Sequence, residues 1–189
     1  NLVTKDHDFR LICIPKFNPL KMQSLGNKKL SIIIGAFIFA AICIVWEHFN
    51  GGVITHHLLA REDLPGISNL WGLLTIPMLA WLTVSLTTKQ RNKIIKSEPR
   101  NLKNFDNRTF KGFFAALLFG IIASLLWEFK FSNSLQYYIL APVLIAFFKP
   151  VHLPEYLLGF VIGMLFTFGG ILPIIVGTIL LILCFLVNG

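Results

Sequence analysis

Six stretches of the chain, residues 30–46, 70–86, 110–127, 135–148, 153–168 and 171–187, are almost wholly apolar. A helix needs roughly 17 to 25 apolar residues to cross about 30 Å of hydrocarbon, and it satisfies every backbone polar group without water. The expected fold is therefore an all-α, polytopic membrane helix bundle of about six transmembrane helices. Composition points the same way: the chain is 55% hydrophobic with a mean hydropathy of +0.71, against roughly 45–50% apolar for soluble domains. The fourth run is shorter than the others and is expected to thin the bilayer locally or to enter it only partway.

The 17 lysines and arginines segregate when six crossings are threaded. Lys5, Arg10, Lys16, Lys21, Lys28 and Lys29 precede the first run. Lys89, Arg91, Lys93, Lys96, Arg100, Lys103, Arg108 and Lys111 lie between the second and third, and Lys149 follows the fourth. Arg61 and Lys130 alone fall on the other side. Positive residues near span ends stay cytoplasmic, so both termini are expected inside, with an outer loop over 49–69 and a basic inner loop over 89–109. This divides the chain into a cytoplasmic or interfacial segment, 1–29, and a transmembrane domain, 30–189, in a plasma membrane such as a bacterial inner membrane. No apolar signal-peptide core precedes Leu30. Residues 11–25 read either as a surface-lying amphipathic stretch or as an ordinary tail. The formal net charge of +8 is a topology signal and gives no reason to expect nucleic acid.

Runs one and three both end in Trp-Glu, at Trp46-Glu47 and Trp127-Glu128, and runs two, four and six each hold one proline, Pro77, Pro142 and Pro173. The pattern reads as repeated helical hairpins whose second helix is kinked or started by proline, with chance similarity as the alternative. Small residues at packing distance, Gly35 with Ala36 and Ala40, Gly112 with Ala116 and Gly120, and Gly159 with Gly163, suit close helix contacts.

Chemically capable side chains concentrate in 46–72, which holds three of the five histidines and three of the nine acidic residues. Residues 55–64 are expected to form a short interfacial helix between the Asn50-Gly51-Gly52 and Pro65-Gly66 turns. On it His57 would neighbour Arg61, while His56, Ala60 and Asp63 would share another line. Three uses of this outer pocket compete. In the first, zinc or another divalent cation is ligated by one of His56 or His57, which point about 100° apart on a helix, by Asp63 or Glu62, and by His48 or Glu47, with Glu128 as an inner partner. In the second, Glu47, His56, His57 and Asp63 do acid and base work, and Arg61, Glu128, Asn50 and Trp71 bind the substrate. In the third, the same groups only meet lipid headgroups and loop amides. His152 and Glu155 are assigned a topological role.

No serine-hydrolase elbow, P-loop or HExxH motif is present, and Cys13, Cys43 and Cys184 have no metal or redox spacing. The functional expectation is a small membrane enzyme acting at its outer face on an amphiphilic or small polar substrate. Alternatives are a substrate-binding transporter subunit and a structural or assembly subunit with a membrane-protein partner. In size, number of runs and inner termini the chain resembles the small substrate-capturing components of vitamin transporters; the likeness is one of layout.

Overall fold

The computed structural model describes residues 19–49, 55–57, 66–97 and 101–188. Among these residues the elements are α1 (Pro19–Phe49), a hairpin of β1 (Thr55–His57) and β2 (Gly66–Ser68), a short 3-10 turn (Asn69–Trp71), α2 (Gly72–Ser97), α3 (Leu102–Glu128), α4 (Ser132–Tyr138), α5 (Ala141–Ala146), α6 (Pro154–Phe168) and α7 (Ile171–Asn188). Four stretches are long and apolar enough to cross a membrane: Lys29–Phe49, Asn69–Ser97, Leu102–Glu128 and Ile171–Asn188.

Two of the six expected crossings differ from that standard. The fifth run is helical as α6, but its 15 residues span only about 22 Å at the helical rise. The fourth is broken into α4 and α5, of seven and six residues. Pro142 sits in the first turn of α5, where its missing N–H costs nothing, whereas in a continuous helix it would remove a backbone bond. The expected inner loop over 89–109 is also mostly helix: α2 runs on to Ser97 and α3 begins at Leu102. Lys, Arg and Gln are good helix formers, and Arg91 ties the two extensions together through paired bonds to Asp106 of 2.9 and 3.1 Å.

The expected interfacial helix over 55–64 is corrected at its beginning. Thr55–His57 is extended and pairs antiparallel with Gly66–Ser68, Thr55 opposite Ser68, His56 opposite Ile67 and His57 opposite Gly66. Helical three- and four-residue spacing therefore does not relate His56 and His57 to later residues. β-Branched Thr55 and Ile67 suit extended backbone, and a cross-strand ladder satisfies their amides where a single helical turn would leave most unpaired.

Helix α6 is the centre of the bundle, with Leu158, Val161, Met164 and Leu165 buried. Its partner along most of its length is α3, and the two run parallel: Gly112 faces Tyr156 and Gly120 faces Phe160 and Gly163. A Cβ on Gly120 would stand 2.6 Å from the Phe160 carbonyl, and those on Gly159 and Gly163 would strike the carbonyls of Phe113 and Leu117. Small residues let the backbones approach this closely. Helix α1 packs on α2 through Ala36, Ala40 and Cys43, whereas Gly35 meets nothing within 4 Å. Large apolar side chains such as Phe37, Leu74, Met78 and Leu118 point outward, as lipid-facing residues do and water-facing ones rarely do.

The bundle has two distinct ends. At the Trp end the close of α1, the start of α2 and the α6–α7 turn converge, and the Trp127 and Phe168 rings lie 5.2 Å apart. At the basic end Thr83 donates to the Pro154 carbonyl at 3.5 Å, and Asn188 Nδ2 donates to the Ala146 carbonyl at 2.7 Å. Pro77 lies inside α2, Pro142 at the start of α5 and Pro173 third in α7.

Candidate functional site

The Trp end carries the described part of the expected outer pocket. Glu47, in the last turn of α1, is 7% exposed, and one carboxylate oxygen accepts a bond from Asn69 Nδ2. The Asn69 carbonyl oxygen in turn accepts from the Gly170 N–H at 3.1 Å. One side chain thus clasps α1, the entry to α2 and the α6–α7 turn. Gly169 takes φ +69° at that turn, and a Cβ there would strike the Asn69 amide, so the position suits glycine twice over. The second Glu47 oxygen, Oε2, is buried without a hydrogen-bond partner.

The other expected members are less concentrated. His48 is exposed, with its ring edge-on to Phe49. Trp71 and Glu128 are exposed, and the side chain bonded to Glu47 is that of Asn69. The backbone of His56 and His57 lies in β1, while Asn50, Arg61, Glu62 and Asp63 lie outside the described residues. Among the described residues no group of three or more His, Cys, Asp or Glu side chains is arranged to hold a metal ion.

The basic end holds a feature that sequence reasoning did not reach. A cavity of about 760 Å³ opens between α3, α5, α6 and α7, within the range of small-molecule sites. Its depth is apolar, walled by Ala116, Phe119, Leu157, Phe160 and Leu180. Its rim is polar and cationic, formed by Asn104, Asn107, Arg108, Lys111 and Lys149. Arg108 and Lys111 stand three apart on α3 and so share a face. Lys149 is carried to them by the return of the chain through α4 and α5. That return is fastened by Tyr138, whose ring stacks on Phe119 with centroids 4.4 Å apart and whose hydroxyl donates to the Phe119 carbonyl at 3.3 Å.

Beside the rim, in the first turn of α6, Glu155 is 2% exposed and neither carboxylate oxygen has a hydrogen-bond partner. Thr109 Oγ1 and His152 Nδ1 are likewise buried without partners. Glu155 is therefore a buried acid next to a cationic mouth, not the topological marker expected of it. The one sequence signal for this site was Arg108, one helical turn before Gly112, Ala116 and Gly120 on the small-residue face of α3.

No known family matches the sequence, and no curated protein or solved structure matches it.

Proposed function

We propose that this chain is a multi-pass membrane protein that holds an amphiphile, apolar tail inward and anionic head at the rim, in the cavity between α3, α5, α6 and α7. The cavity's division into an apolar depth and a cationic mouth carries the reading. An aliphatic tail gains about 25 cal/mol for each Å² it removes from water, and a charged head is held by charge-assisted bonds at the mouth. In this reading the bundle crosses the plasma membrane six times, α4 with α5 and the short α6 completing the two thin crossings, with the basic end in the cytoplasm. The lopsided distribution of lysine and arginine supports that orientation.

Orientation is tested by single cysteines placed at Ser68 and Ser97 in a cysteine-free background. An impermeant reagent added outside should label Ser68→Cys and spare Ser97→Cys; the reverse order inverts the topology. Occupancy is tested by native mass spectrometry after extraction in mild detergent. Wild type should carry one equivalent of an amphiphile, and Ala115→Trp, which narrows the cavity from an exposed position on its wall, should carry markedly less at an unchanged melting temperature. A wild-type protein that binds nothing from an offered lipid extract would refute the reading. A stoichiometric protein companion in the same spectrum would mark the chain as a capturing or assembly subunit instead of a free-standing enzyme.

The Trp end supports a second reading, acid and base work on a polar group. The free Oε2 of buried Glu47 favours it.

A further inference from the structure

The cavity's rim also specifies the head group. The argument rests on the amphiphile reading above and asks which anion the mouth is built for.

Arg108, Lys111 and Lys149 make no ion pair among the described residues. The acid nearest in sequence, Asp106, is already taken by Arg91. Arg108 lies over the Phe105 ring at 5.5 Å, a contact that orients the guanidinium without cancelling its charge. Glu155, buried with no hydrogen-bond partner for either oxygen and close enough to attract Arg108, offsets at most one of these charges. Three cations against at most one carboxylate leave a surplus of two or three positive charges around one opening. Like charges so grouped repel one another, and the arrangement is relieved by a ligand carrying more than one negative charge.

Anionic head groups differ in this respect. A phosphodiester has a single negative charge and two free oxygens. A phosphomonoester carries about −1.5 to −2 at neutral pH and presents three strong acceptor oxygens, one for each cation of the rim. The amides of Asn104 and Asn107 add N–H donors at the same level. We infer that the cavity takes an amphiphile ending in a phosphomonoester, the phosphate seated among Arg108, Lys111 and Lys149 and the chain running down toward Phe119 and Phe160.

The test uses the full chain in phosphatidylcholine nanodiscs, with tight binding of a fluorescent dioleoyl phosphatidic acid as the readout. Competitors are unlabelled phosphatidic acid, phosphatidylglycerol with the same tails and inorganic phosphate. Phosphatidic acid should compete at least about tenfold better than phosphatidylglycerol, equivalent to about 1.4 kcal/mol, and inorganic phosphate should fail at concentrations where the lipid succeeds. Arg108→Gln and Lys149→Gln should each weaken phosphatidic acid about tenfold and narrow its advantage over phosphatidylglycerol. Both side chains are exposed, and an unchanged melting temperature checks that each variant keeps the fold. Equal competition by the two lipids would overturn the head-group assignment and leave the amphiphile reading standing. Competition by inorganic phosphate at lipid concentrations would make the rim a free-phosphate site, and no saturable lipid binding at all would remove both readings together.

Discussion

Gly159→Leu is expected to abolish the folded bundle. A first carbon at this position already strikes the Phe113 carbonyl and lies 3.0 Å from the Leu117 nitrogen, and backbone atoms cannot swing aside as a side-chain tip can. The two helices would have to separate along their main contact, exposing the buried face of α6 at a cost of about 3 kcal/mol or more. Gly35→Ala is the matching control. Gly35 has open space around it, so alanine adds helix propensity and should leave stability the same or raise it by up to about 1 kcal/mol. Thermal unfolding in detergent, followed by circular dichroism and gel filtration, separates the two. A Gly159→Leu protein that elutes and melts like wild type would mean that α3 and α6 do not meet through their backbones.

The clasp at the Trp end gives the second large effect. Asn69→Leu removes the donor to Glu47 and the acceptor for the Gly170 amide together, leaving a buried carboxylate with neither oxygen bonded. Stranding such a group costs about 3 kcal/mol, so the melting temperature should fall well below that of wild type. Glu47→Gln should retain most of the stability, because its amide oxygen still accepts from Asn69. The pair also examines acid and base work at this end. If Glu47→Gln folds normally but loses whatever turnover the wild type has on a polar substrate offered at the Trp end, Glu47 acts chemically; if turnover persists, the clasp is its whole role.

How much of this was legible in the sequence depends on how local each feature is. Apolar runs at 30–46, 70–86, 110–127 and 171–187 announce long helices because length and hydropathy are properties of a single segment. The glycine pairs at 112 and 120 and at 159 and 163 announce a close contact, since little else keeps so many small residues on one helix face, although nothing in the letters says that the two helices run parallel. The break between α4 and α5 was signalled only by Pro142. The β1–β2 pairing joins residues about ten apart through a ladder whose register depends on the connecting segment, so Thr55–His57 read equally well as the start of a helix. The cavity was hidden for a different reason. Arg108, Lys111 and Lys149 look like every other inward-side charge when taken singly, and only the return of the chain from α3 to α6 sets Lys149 beside the other two.

That return also divides the chamber into two walls of unequal stiffness. On one side the α3 and α6 backbones touch through glycine, leaving no side chain that can repack and no room to slide. On the other, two helices of seven and six residues, too short to be stable alone, are held by the packing of Leu135, Tyr138, Ile139 and Val143 and by a tyrosine hydroxyl at one end and an asparagine amide at the other. A chamber of different width is reached most readily by displacement of the short helix α5, whose Pro142 and Ile145 line it. In the amphiphile reading, a tail of different width would be held without disturbing the seam on which the fold depends.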